Sequence, residues 1–209
     1  MTNEIGSTVF VVDDDAAILK AISRLLTLEH FETRCFLSAR DFIAAYDPSI
    51  PGCALVDISM EDIDGLQLQD HLAKQKIDMP IIFLTGKGDI VSSVKAMKAG
   101  AVDFLTKPVS RTDLLAAIAK AMTIDDQQRH RRADLRSINT RFSTLTPRER
   151  EVFEHVVVGR LNKQIAGALG VVEKTVKVHR KHMMEKLGIR TVADLVRLSV
   201  RMGIDKSKL

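Results

Sequence analysis

Carboxylates close two apolar runs of this chain. "VFVVDDD" ends on Asp13, Asp14 and Asp15, and "CALVDIS" carries Asp57 near its end. An ionised carboxylate is costly to take out of water, so an aspartate ending a buried-looking strand needs a chemical reason. Carboxylates brought together repel one another unless a cation lies among them. Hard oxygen donors with room for water suit Mg²⁺, which keeps one or two protein carboxylates and fills its shell with water or phosphate oxygens. Two further apolar runs end on Thr85 ("PIIFLTG") and on Lys107 followed by Pro108 ("VDFLTKP"). A hydroxyl and an ammonium there would hydrogen-bond and neutralise an incoming phosphoryl group. The set suits an aspartate, Asp57, attacking phosphorus. Each part alone is commonplace, since "DDD" is often a solvated turn and "KP" means little. The combination at four strand ends is specific.

Those side chains need a scaffold that brings strand ends together. Over the first 120 or so residues, strand-like runs ("STVFVVD", "FETRCF", "GCALVDIS", "MPIIFLTG", "AVDFLTKP") alternate with stretches of helical apolar spacing ("AAILKAISRLLTLEH", "SARDFIAAYD", "GLQLQDHLAKQ", "DIVSSVKAMKAG", "SRTDLLAAIAKAM"). Ser38 is placed to cap the second helix, and Gly100 closes the fourth. Five βα units with near-continuous apolar strands predict a doubly wound α/β domain: a five-stranded parallel sheet covered on both faces. In the order 2-1-3-4-5, strands one and three are neighbours where the winding reverses, and ligands bind outside their C-terminal ends.

Charge divides the chain. Residues 1–128 hold 12 Lys+Arg and 19 Asp+Glu, a net of −7, whereas residues 129–209 hold 19 and 8, a net of +11. An acidic half joined to a basic half predicts two domains with different partners, the basic one facing a polyanion. The expected division is a phosphoryl-site domain at 1–123, a charge-rich, partly helical linker at 124–141, and a second domain at 142–209. That second domain reads as all-helical. Thr146 caps a helix with Pro147 at its first position, Gly170 and Gly188 end the next two, and Thr191 caps the last. The short second helix and its turn into the third predict a separate helix-turn-helix domain. Its second helix, "KTVKVHRKHMMEK", carries Lys174, Lys177, His179, Arg180, Lys181, His182 and Lys186, with Val176, Met183, Met184 and Leu187 turned to a core. Such a helix can enter a major groove, early residues on base edges and neighbours on phosphates.

No stretch approaches 18 consecutive apolar residues, and the N-terminus lacks the pattern of a secretory signal, so a cytoplasmic protein without membrane partners is expected. Cys35 and Cys53 read as small buried hydrophobes of a reduced protein.

The first 120 residues resemble the receiver domain of two-component response regulators, through "VFVVDDDAAI", "ALVDISMEDIDGLQL", "PIIFLTGKGD" and "VKAMKAGAVDFLTKPV". The resemblance implies a CheY-like receiver. Asp14, Asp13, Asp57 and the main-chain carbonyl of Ser59 would hold Mg²⁺, and Asp57 would accept the phosphoryl group. Lys107 and Thr85 would serve the site, Phe104 would be an aromatic switch, and Lys107–Pro108 would be cis. Ser59 and Lys87 fall where the family tunes phosphoryl lifetime. One departure stands out: Glu61 follows Met60 where the family usually has Pro.

The second domain resembles the LuxR-type helix-turn-helix of the NarL/FixJ regulators, most like FixJ, through "LTPREREV", "NKQIAGALG", "TVKVHRKHMMEKLG" and "ADLVRLS". Lys177, Val178 and Lys181 would then face bases. Lys163, Gln164, Thr175 and Arg180 would contact phosphates, with Lys174 beside them.

The two resemblances together imply a phosphorylation-dependent transcriptional regulator. A sensor histidine kinase would be its phosphoryl donor, promoter DNA its target and RNA polymerase a further partner. The phosphorylated chain would be a homodimer, and the acidic half would mask the basic one before phosphorylation. No enzymatic turnover is expected apart from self-catalysed phosphoryl acceptance and loss at Asp57. Two other readings compete. A haloacid-dehalogenase-like phosphatase also uses Asp and Mg²⁺ on a doubly wound sheet. It wants a Thr where position 17 is Ala, and a cap domain that is not evident. A DNA-binding architectural protein with an inert receiver would not depend on Asp57.

Overall fold

A computed structural model of the chain describes residues 7–86 and 90–204, without side-chain detail at 90–93. Lys87 therefore lies outside the described residues. Two compact units divide the chain, Met1–Arg129 and His130–Leu209.

In the first unit strands and helices alternate. They are β1 (Thr8–Val12), α1 (Ala16–Leu28), β2 (Glu32–Phe36), α2 (Ala39–Ala45), β3 (Gly52–Asp57), α3 (Gly65–Lys74), β4 (Ile81–Thr85), α4 (Ile90–Lys98) and β5 (Asp103–Thr106). Helix α5 follows, over Arg111–Ser143. The strands pair in parallel in the order β2-β1-β3-β4-β5, as the sequence predicts.

Side chains alternate across a strand, so each apolar run feeds two cores. Phe10, Val12, Ala54, Val56 and Phe83 pack on one face with Phe42, Leu68 and Leu72. Val9, Val11, Cys53, Leu55, Ile82 and Leu84 pack on the other with Leu19, Leu26, Leu114 and Ile118. Strands β1, β3 and β4 are buried along their whole length. β2 and β5 are edge strands made of half-buried and exposed residues, with none fully buried. This corrects the reading of Cys35, which is exposed on edge strand β2, whereas Cys53 on β3 is buried.

At its foot β3 is fastened to α5. The Asp125 carboxylate, 5% exposed, accepts the Gly52 N–H at 2.9 Å and is paired with Arg129 Nε at 2.7 Å. The same guanidinium donates to the carbonyls of Pro48 and Ser49 at 3.2 Å and to that of Ile50. No side chain fits at Gly52, because a Cβ there would stand 1.8 Å from the Thr8 carbonyl oxygen.

The second unit holds α6 (Pro147–Val157), α7 (Asn162–Leu169), α8 (Glu173–Leu187) and α9 (Val192–Arg201). The stretch 124–141 is helical throughout, within α5, and Ile138 of that helix joins the core of Val152, Phe153, Ile165, Val176, Met183, Leu187 and Leu195. The Thr146 hydroxyl accepts the Glu149 N–H at 3.3 Å, and the Glu149 carboxylate accepts the Thr146 N–H at 2.8 Å. This closes a capping box at the start of α6. Glu149 is 3% exposed and also pairs with Lys186 at 2.7 Å. Gly170 and Gly188 end α7 and α8 with φ of 65° and 68°, the left-handed conformation that glycine adopts at least cost. Among the described residues no helix is long and apolar enough to cross a membrane.

Candidate functional site

The winding of the sheet brings the predicted strand-end groups together. Asp13 follows β1, Asp57 is the last residue of β3, Thr85 the last of β4, and Lys107 follows β5. Asp13, Asp14 and Asp57 each place one carboxylate oxygen within 4.8 Å of the others. Lys107 Nζ is 2.7 Å from Asp13 Oδ2 and 3.1 Å from Asp57 Oδ1. Asp13 is fully buried, Asp57 is 5% exposed and Asp14 is exposed, so the cluster opens to solvent on the Asp14 side.

Burial raises the Asp13 carboxyl above its ordinary value, against the pull of the Lys107 hydrogen bond and the Asp15 N–H. Lys107 is also raised: burial works against its charge, but its bonds to Asp13 and Asp57 outweigh that. The third residue of "DDD" does different work. The Asp15 side chain caps α1, accepting the N–H of Ala17 at 2.8 Å and of Ile18 at 3.4 Å.

Thr85 is 2% exposed. Its hydroxyl donates to the Gly86 carbonyl at 3.1 Å, and its own carbonyl accepts the Lys107 N–H at 2.7 Å. Lys107–Pro108 is cis. Phe104 is 38% exposed on β5, and Ser59 is exposed just past Asp57. Gly65, at the start of α3, is a further residue of the site. A Cβ there would lie 2.4 Å from the Asp57 carbonyl oxygen and 2.9 Å from the Phe83 ring. Its signal in the sequence is the "DG" pair inside "MEDIDGLQL".

The basic helix is α8, second helix of the α7–α8 pair. Val176, Met183 and Leu187 are buried beneath it, and Met184 is partly buried against the same core. Lys174, Lys177, Val178 and Lys181 are exposed, while Thr175 and Arg180 are half-buried. Arg180 donates to Asn162 Oδ1 at 3.0 Å, tying α8 to α7. On α7, Lys163 and Gln164 are exposed, and the Gln164 side-chain oxygen accepts the Leu161 N–H at 2.8 Å. Lys177–Glu173 at 3.3 Å and Lys181–Glu185 at 3.8 Å are solvated pairs within the helix. Such pairs are worth little and leave both ammonium groups free to exchange partners. Lys186 is different, since Glu149 holds it.

Residues 9–119 match the family model of the response regulator receiver domain. Residues 143–199 match that of the bacterial regulatory proteins of the luxR family. The chain belongs to the NarL/FixJ response regulators. Nodulation protein W of Bradyrhizobium diazoefficiens is 40% identical over 196 residues, covering 94% of this chain and 86% of that protein. The solved response regulator StyR is 40% identical with a TM-score of 0.82, over 94% of this chain and 99% of that one. Full-length FixJ from B. japonicum is 34% identical with a TM-score of 0.57, over 95% and 98%. This response regulator is thus a DNA-binding transcription regulator of a two-component system.

Response regulator receivers bind Mg²⁺ at an acidic cluster, and the donor set of this one fits. It offers three carboxylate oxygens within 4.8 Å, hard ligands of the kind Mg²⁺ takes, with an open side for water.

Proposed function

We propose that this response regulator accepts a phosphoryl group on Asp57 from a sensor histidine kinase, dimerises through its receiver, and binds promoter DNA through α8. The observation that carries this reading is the position of Asp57. It ends a fully buried strand, with the Lys107 ammonium 3.1 Å from its carboxylate. In the transfer, an Asp57 oxygen bonds to phosphorus while the P–N bond of the donor phosphohistidine breaks, and the imidazole nitrogen keeps the electron pair. Water attack on phosphorus later returns the carboxylate and inorganic phosphate. These two self-catalysed steps are the only catalysis assigned to the chain.

Asp13, Asp14, Asp57 and the Ser59 carbonyl would hold Mg²⁺. When bound, the ion would neutralise charge on the phosphoryl oxygens. Lys107 is positioned to pair with a phosphoryl oxygen, and the Thr85 hydroxyl to donate to one after turning from the Gly86 carbonyl. A phosphoryl group adds a charge of about −1.5 to −2. Drawing Thr85 and Lys107 to it favours a second receiver conformation, which the Phe104 ring would report.

The donor histidine must reach Asp57 past the rim of the site. Beside Lys107 lies an apolar groove of about 540 Å³, lined by Ile18, Ala21, Ile22, Leu25, Pro108 and Val109. A kinase helix seated there would carry the histidine. Val94, Met97 and Phe104 are exposed apolar side chains on α4 and β5, the surface assigned to the second copy. A dimer raises the effective concentration of the second DNA-binding domain at an adjacent half-site. The regulator would work in the cytoplasm, with RNA polymerase as the partner it meets at the promoter.

The test is the mass in solution, by light scattering, of wild type and Asp57→Asn with and without Mg²⁺ and beryllofluoride, a stand-in for the phosphoryl group. A monomer that becomes a dimer in wild type alone is expected. No change in either protein would remove phosphorylation-driven dimerisation.

A further inference from the structure

Glu61 lies in the turn after the phosphoryl-acceptor strand. Its main-chain N–H donates to Asp14 Oδ2 at 3.2 Å. Asp14 is the exposed member of the three-carboxylate cluster. An exposed carboxylate ordinarily samples several rotamers and is hydrated on both oxygens. A fixed donor selects one rotamer and occupies one oxygen, which leaves the other for a ligand.

The turn is built to aim that donor. The Ile63 N–H donates back to the Glu61 carbonyl at 2.9 Å, across Asp62, whose φ is +70°. An i to i+2 bond around a residue of positive φ makes the rarer, strained form of γ-turn. Such backbone persists only where its surroundings over-determine it. Two backbone hydrogen bonds hold its base. The Gly65 N–H donates to the Ile58 carbonyl at 3.0 Å, and the Ile58 N–H to the Leu84 carbonyl at 3.0 Å. Arg40 also pairs with Asp62 at 2.9 Å, a solvated contact that adds little. A turn pinned at its base and strained at its tip therefore presents one N–H to one carboxylate.

We infer that the Glu61 main-chain N–H is a positioning group for Asp14, holding its carboxylate so that the free oxygen faces the divalent cation. This rests on the reading of the cluster as a Mg²⁺ site. Outer-shell hydrogen bonds of this kind fix the orientation of metal ligands, and their loss typically weakens binding by 10- to 100-fold. The acting atom is in the backbone, so the side chain at this position matters only through whether it leaves an N–H. Of the ordinary residues, only proline removes it, and proline is what the family usually has here, so this donor is an addition particular to this chain.

The full chain is titrated with Mg²⁺ by calorimetry as wild type, Glu61→Ala and Glu61→Pro. Glu61→Ala, which keeps the N–H, should bind within about twofold of wild type, and Glu61→Pro about tenfold more weakly. Equal affinity in wild type and Glu61→Pro would overturn the inference. Wild type that binds no Mg²⁺ at millimolar concentration would instead sink the cation-site reading, and this inference with it. Should circular dichroism find Glu61→Pro unfolded, amide hydrogen exchange at Glu61 decides. Protection that is lost in Asp14→Ala sustains the assignment, and protection unchanged in that variant overturns it.

Discussion

Lys107 Nζ lies 2.7 Å from Asp13 Oδ2, and Asp13 has no exposed surface of its own. The ammonium is the cation through which this carboxylate tolerates burial. Lys107→Ala would leave it unpaired, and breaking a buried pair costs about 3 kcal/mol. The receiver of that variant should melt several degrees lower than wild type. Added Mg²⁺ should raise its melting temperature more than it raises that of wild type, because the ion takes over the charge. Thermal melts with and without Mg²⁺ measure both effects. Equal Mg²⁺ shifts in the two proteins would mean that Lys107 and the ion do not share Asp13.

Glu149 predicts a dependence on acid. Burial alone would raise its carboxyl, but the Lys186 ion pair and the N–H and hydroxyl of Thr146 outweigh that and hold it below its ordinary value of 4.5. A lowered carboxylate contributes stability that is complete above its unfolded-state value and is lost as pH falls through the folded one. At pH 7 wild type should exceed Glu149→Gln by about 1.5–3 kcal/mol in the DNA-binding unit, the range of hydrogen bonds to charged groups. The two should converge as the pH drops below 4.5. Calorimetric scans between pH 3 and 7 follow the difference, and a gap that stays constant with pH would exclude Glu149 as its source.

For α7 and α8, salt separates the roles. Lys163→Ala and Lys174→Ala should weaken binding on every duplex alike and lower the slope of log K against log salt by about one. Val178→Ala should leave the slope untouched and cost about 1–3 kcal/mol of discrimination between the operator and scrambled DNA. Fluorescence anisotropy from 50 to 200 mM salt reads both. A slope change for Val178→Ala, or none for the lysines, would reverse the assignment.

The two cysteines should differ sharply toward a thiol reagent. Cys35 is exposed, whereas burial, with the Asp125 charge adding to it, pushes the Cys53 thiol up to about 12. One thiol per chain should react in the native state and the second only on unfolding. Two fast thiols in native protein would contradict the burial of β3.

What could be read in advance followed from local residue types. Apolar runs marked β1, β3 and β4. The four strand-end groups came together because a parallel sheet aligns its C-terminal ends. Ser38, Thr146 and Thr191 cap helices through contacts three residues away, so their neighbours in sequence announce them. What could not be read depends on partners distant in the chain. Glu149 and Lys186 meet across 37 residues. Asp125 and Arg129 looked like two more charges in a polar stretch, and only their contacts to residues 48–52 give them a role. The three acids of "DDD" are chemically identical. Asp15 is set apart only by standing where α1 begins. Cys35 looked apolar enough to be buried, and its place on an edge strand was not in its type. The Glu61 donor is a backbone group, which sequence letters do not display.

The clasp between Gly52 and Asp125 has a mechanical consequence. The strand that carries Asp57 at its top is moored at its foot to a buried carboxylate, at a point where the Thr8 carbonyl admits only glycine. Sliding the strand along its own axis would break that hydrogen bond and the ladders to β1 and β4. A charge added at Asp57 would on that footing be answered by the side chains and turns at the strand's upper end, with the strand itself as the anvil.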